Sequence, residues 1–215
     1  MQINHTENIG KQHRFVNLQR LEALGDAIFA FALTLLALDI RLPEIKPDEL
    51  AQGILALLPK LLIFGFTFLV IAQEWDVHQR TMMHIVHADG NFVWLYSLSL
   101  MFVVLMPASA DILGRFPLQP LALVVFGINV ALLCLASWCM WQYASHSGRL
   151  LDDEIEPSAV RLIGQLWLYP PIVIVITMPL GFISVVPVYI IWILLPVTSY
   201  TYSARMLRKN RKTRE

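Results

Sequence analysis

The chain has 215 residues, a formal net charge of zero, 57% hydrophobic residues and only 15% charged ones. A mean hydropathy of +0.60 is too high for a soluble domain. It excludes an ordinary cytosolic enzyme or a charge-rich nucleic-acid binder. The apolar residues instead gather in long blocks divided by short polar loops, and a helix needs about 20 apolar residues to cross a bilayer core of about 30 Å. Six blocks reach that length, approximately 22–42, 51–73, 91–113, 119–144, 160–181 and 184–206, followed by a basic tail over 207–215. The pattern predicts an all-α integral membrane protein forming a single six-helix domain over 1–215.

The first block, opened by Arg20, carries a carboxylate, Asp26, near its start and Asp39 near its end. No short apolar centre with a small-residue cleavage site is present, so the block is expected to be a span rather than a signal peptide. Leu24, Ile28, Phe31, Leu35 and Leu38 repeat at helical spacing and form one continuous apolar stripe, with the hydroxyl of Thr34 at its edge. Such a stripe serves either helix packing or a conduction path, and periodicity does not separate the two. A carboxylate in a spanning helix needs water or a partner. Arg20 lies six residues before Asp26, too far along one helix to pair, so a partner from another helix is required. Two readings follow: Asp26 orients the helix near the headgroups, or Arg20, Asp26 and His78 form a polar cluster that fixes helix 1 against helices 2 and 3.

Asp48 and Glu49 open the second block and put negative charge where the helix dipole favours it. The loop expected after it, Glu74–Gly90, holds His78, His84, His87 and Asp89. A metal site would use such residues, but the spacing is equally that of a polar loop, and no metal is assigned. Cys134 and Cys139, in the fourth block, read as small apolar fillers rather than as a disulfide or a zinc site. Trp138, Trp141 and Tyr143 near its end read as an interfacial aromatic belt. Pro157 and Ser158 mark a helix start, and Pro170, Pro171, Pro179, Pro187 and Pro196 are expected to kink or interrupt the last two helices.

Alternate loops sort the basic residues into twelve on one side, including the tail, and three on the other, with Lys60 inside helix 2. The positive-inside bias then puts both termini in the cytoplasm, as six spans require. The tail is expected to rest on anionic lipid rather than nucleic acid. Several absences narrow the function. No Thr-Val-Gly-Tyr-Gly-like run supplies a carbonyl filter, no arginine ladder supplies a voltage sensor, and no Gly-x-Ser-x-Gly, His-Glu-x-x-His or Walker motif supplies an enzyme. The halves 1–107 and 108–215 show no mirrored pattern, against an inverted-repeat carrier.

Arg20-Leu-Glu-Ala-Leu-Gly25-Asp26, followed by Ala32-Leu-Thr34-Leu-Leu-Ala-Leu-Asp39, resembles the first-helix signature of the transmembrane protein 175 family, the endosomal and lysosomal potassium channels with shorter prokaryotic relatives. Trp75-x-x-His78-x-Arg80, Trp94-Leu95 and Pro107 extend the resemblance to residues 20–107. The resemblance implies a short prokaryotic form in the cytoplasmic membrane, a homotetramer with a pore lined by helix 1. It places the narrowest apolar ring at Phe31, further rings at Leu35 and Leu38, and a selectivity-linked hydroxyl at Thr34. It implies no enzyme activity and no cofactor, with potassium ions, the lipid bilayer and copies of itself as partners. Four positions depart from the family pattern: Leu24-Gly25 stands for Phe-Ser, Phe31 for isoleucine or leucine, and Tyr96 for asparagine. A proton-coupled secondary transporter and a non-conducting scaffold are the alternatives.

Overall fold

The computed structural model describes residues 17–38, 40, 46–146, 150–195, 197 and 198. The basic tail at 207–215, the expected end of helix 6, the kink at Pro196 and Asp39 lie outside the described residues. Within them the chain is helical: α1 (Leu18–Leu38), α2 (Leu50–Met82), α3 (Gly90–Arg115), α4 (Pro120–Ser145), α5 (Pro157–Thr177) and α6 (Val185–Leu195). Single 3-10 segments precede α2 at Pro47–Glu49 and follow α5 at Met178–Phe182. Five of the helices, α1 to α5, are long and apolar enough to cross a membrane.

Local chemistry sets the helix starts. Asn17 Oδ1 accepts the Arg20 N–H at 3.3 Å, so α1 begins four residues before its apolar block. Asp89 accepts the Phe92 N–H at 3.0 Å and opens α3, while Pro120 and Pro157 occupy the first positions of α4 and α5, where a missing N–H costs nothing.

The largest departure from the sequence reading is α2. Its apolar block ends near residue 73, but the helix continues to Met82, so Glu74, His78 and Arg80 stand in a helix rather than a loop. Charged residues lower hydropathy without breaking a helix when each finds a partner. Here Asp76 pairs with Arg80 one turn on, at 2.8 Å, and Glu74 and His78 turn inward. Thirty-three residues rise about 50 Å, so the helix outruns the hydrocarbon core of about 30 Å.

The core runs through α2, α3, α4 and α5 around the fully buried Phe92, Leu113, Leu123, Met106, Trp141 and Trp167. Trp141 is therefore no part of an aromatic belt. Its ring is wholly buried and its indole N–H donates to the Val160 carbonyl of α5 at 3.0 Å, a pairing that a lipid-facing ring would not need. Tyr143 likewise turns inward and donates to Asp89 at 2.8 Å. At that end of the bundle the α2–α3 and α4–α5 loops join through an antiparallel Ile85–Leu151 bridge, with Val86 N–H on Leu150 O at 2.9 Å and Asp152 N–H on His84 O at 3.1 Å.

At the opposite side of the core α4 meets α6 closely. A Cβ on Gly127 would lie 2.5 Å from Trp192 Cη2 and 2.7 Å from Met178 Cε, and Trp192 is itself held by its N–H bond to Thr177 Oγ1 at 2.8 Å. A held indole cannot step aside, so Gly127→Val is expected to cost about 1–3 kcal/mol through overpacking. Thermal unfolding in detergent checks this, and an unchanged melting temperature would contradict the close approach.

Candidate functional site

The two faces of α1 differ sharply. Leu21, Gly25, Phe29, Ala32 and Leu36 are buried against the rest of the subunit, chiefly against α3 and α2. About a third of a turn away lie the large apolar side chains that the bundle leaves uncovered: Phe31 is 64% exposed, Leu38 59% and Leu24 50%. Ile28 and Leu35 are half-buried at the stripe's edge. Thr34 is exposed beside Phe31, and its hydroxyl donates to the Phe31 carbonyl at 2.8 Å. An Ala- and Leu-rich, proline-free segment makes the helix; the bundle then uses one side of it and leaves Leu24, Phe31 and Leu38 on the other side facing out.

A polar cluster fixes the lower half of α1. Asp26 Oδ1 accepts the Trp75 indole N–H at 3.0 Å and the Gln79 side-chain amide, two residues one turn apart on the continued part of α2. His78, between them in sequence, turns instead into the bundle. It is buried, stacks on Tyr96 with ring centroids 5.4 Å apart, and lies 5.3 Å from Phe29. The Tyr96 hydroxyl donates to the Leu21 carbonyl at 3.0 Å and lies 3.3 Å from His78 Nε2. One hydroxyl proton serves one acceptor, so with that proton on Leu21 the imidazole Nε2–H is the donor to Tyr96.

Asp26 and His78 thus sit in one cluster spanning α1, α2 and α3, joined through neighbours rather than to each other. Arg20 stands apart: its backbone N–H bonds Asn17, and no ion pair links it to Asp26 among the described residues. Trp75, Gln79 and Tyr96 complete the cluster. The Trp75–Gln79 spacing of four would have announced a shared helical face had α2 been read past residue 73.

One further turn inward, Glu74 is buried, and both its carboxyl oxygens lie 3.6 Å from the Cys134 thiol. Cys134 is therefore a hydrogen-bond donor as well as a filler. His84, His87 and Asp89 do not converge with His78, and no group of three or more potential metal-binding side chains occurs among the described residues.

A multi-pass helical bundle with an uncovered apolar stripe on its first helix sets the class, and the comparisons agree. The family profile described as "Endosomal/lysosomal potassium channel TMEM175" matches residues 20–107. A potassium channel of Chamaesiphon minutus is 29% identical over 172 residues, 77% of this chain and 85% of that protein. A potassium channel of Streptomyces collinus is 29% identical over 147 residues, 66% of this chain and 71% of the relative. The human endosomal/lysosomal proton channel TMEM175 is 26% identical over 147 residues, which is 29% of its own length. In fold, the crystal structure of a lysosomal potassium-selective channel TMEM175 homolog from Chamaesiphon minutus superposes with a TM-score of 0.70 at 24% identity, over 88% of this chain and 97% of that one.

The protein is a multi-pass membrane ion channel and not an enzyme. It is similar to members of the TMEM175 family.

Proposed function

We propose that four copies of this chain assemble in a cell membrane, with both termini cytoplasmic, into a passive channel that favours potassium and needs no cofactor. The chain is one six-helix unit, and α1 from each copy lines the axis. Phe31 forms the narrowest ring, Leu35 and Leu38 form further apolar rings, and Thr34 offers hydroxyl contacts to a partly dehydrated ion. Such a constriction empties of water when shut and conducts when it widens. Asp26 and His78 take no part in conduction; they seat α1, and Arg20 stands at its entrance.

The observation carrying this reading is the division of α1, with Leu21, Gly25, Phe29, Ala32 and Leu36 turned into the subunit and the large apolar side chains of Leu24, Phe31 and Leu38 left uncovered. In a lone bundle that face meets lipid; around a fourfold axis it meets its own copies and the permeating ion. Potassium as the favoured ion is supported by the two bacterial relatives, both named potassium channels. The human relative is named a proton channel, so protons are the competing permeant ion.

Reconstituted protein tests the proposal. The expected result is an assembly with the mass of four 24.5 kDa chains and a reversal potential near the potassium equilibrium value in opposed potassium and sodium gradients. A reversal potential that follows the proton gradient overturns the potassium assignment. A monomer without ion flux overturns the channel arrangement itself.

A further inference from the structure

Gly25 is the single glycine of α1 and sits in its interior, where glycine costs about 0.5–1 kcal/mol relative to alanine. Helix formation gives no reason for it, and its backbone is ordinary helix. The reason lies on α3. A Cβ built on Gly25 collides with the Tyr96 hydroxyl oxygen and comes within 3.2 Å of both Tyr96 Cζ and His78 Nε2. The missing side chain opens a notch in α1, and the Tyr96 hydroxyl fills it.

The bonds made inside the notch are directional. The Leu21 carbonyl belongs to the turn that precedes Gly25, and without a side chain at 25 it is open from the side. Tyr96 reaches it at 3.0 Å while lying 3.3 Å from His78 Nε2. The tyrosine is wholly buried, stacked between His78 and Phe92, so its hydroxyl has no other place to go. On another side of α1, Trp75 and Gln79 hold Asp26. Two attachments on different sides of one helical turn fix rotation about the helix axis as well as position. Phe31 lies six residues further, about 9 Å along the same helix, and its direction follows from that rotation.

We propose that Tyr96 is a positioning residue for the pore helix: its hydroxyl, admitted by the absent side chain of Gly25, locks the rotation of α1 and so aims Phe31. The proposal rests on the reading that α1 lines the pore.

The test is a double-mutant cycle on the full chain, read by melting temperature and by single-channel recording. Gly25→Ala is expected to lower both the melting temperature and, by at least about tenfold, the open probability, because the new methyl expels the hydroxyl. Tyr96→Phe keeps the ring and removes the lock. It is expected to shift open probability at least about threefold in assembled channels, with unitary conductance and reversal potential retained. The double variant is expected to return to within about threefold of Tyr96→Phe alone, since alanine then gains helix propensity and, with the hydroxyl gone, meets only the tight 3.2 Å contacts to the ring edge and to His78 Nε2. Equal losses for Gly25→Ala in the presence and absence of Tyr96→Phe overturn the notch. A melting-temperature coupling with unchanged open probability overturns the positioning role and leaves packing alone. Should the parent carry no current, the pore reading fails and the positioning role with it, while the melting temperatures still decide the contact.

Discussion

Phe31→Ala is expected to raise potassium flux through the reconstituted channel at least about tenfold, equivalent to lowering the barrier by about 1.4 kcal/mol. A narrow apolar ring excludes ions because water leaves it; replacing four phenyl rings by methyl groups widens and rewets it. The same change should leave the fold intact, because Phe31 is among the most exposed large side chains of α1 and contributes little to the packing of its own subunit. Phe29, two residues earlier, gives the built-in control. It is 3% exposed and lies against His78, so Phe29→Ala is expected to cost about 3–5 kcal/mol of stability through a core cavity. Flux and melting temperature therefore separate the two phenylalanines: the first variant moves the current, the second the stability. Unchanged flux and gating in Phe31→Ala would remove the gate from this ring, and if Leu35→Ala were also silent the face would not line a pore.

The same pair shows what the sequence could and could not say. Spacing alone put Leu24, Phe31 and Leu38 on one face and left its partner open; the bundle resolves half of that question by using the other face. The cluster below was only partly legible. Asp26 announces itself as a carboxylate in an apolar helix, but its donors, Trp75 and Gln79, lie where hydropathy falls and the eye ends the helix. Hydropathy measures transfer, not helicity, and α2 persists because Glu74 and His78 find partners inside the bundle and Asp76 finds Arg80. Gly25 and Tyr96 read as two unrelated departures from the family pattern, seventy-one positions apart. In space they are one contact, in which a large residue on α3 occupies what a small one on α1 vacates. Trp141 failed for the opposite reason: its place near a helix end suggested the membrane interface, while its buried bond to Val160 depends on how α5 packs against α4, which no local pattern reveals.

Glu74→Lys is expected to abolish folding or assembly, whereas Glu74→Gln is expected to leave both nearly intact. Glu74 is 4% exposed, and among the described residues no cation forms an ion pair with its carboxyl group. Its hydrogen-bonding neighbour is the Cys134 thiol, a weak donor with one proton to share between two oxygens at 3.6 Å. Burial of a charge without an opposite charge is costly, so this position tolerates a neutral group of the same shape better than any ion. Glutamine has that shape, and a cavity of about 20 Å³ beside Glu74, also bordered by Gln73 and Trp192, gives its amide room to settle. A lysine would put an unpaired ammonium among Phe66, Phe126 and Ile174, at a cost of about 3–5 kcal/mol, a large share of the total stability of about 5–15 kcal/mol typical of a folded domain. Melting temperature and the size of the purified assembly check both substitutions. A well-folded Glu74→Lys channel would mean that Glu74 faces water. A strongly destabilised Glu74→Gln channel would mean instead that the negative charge itself is needed, held by a cation rather than by the neutral Cys134 thiol.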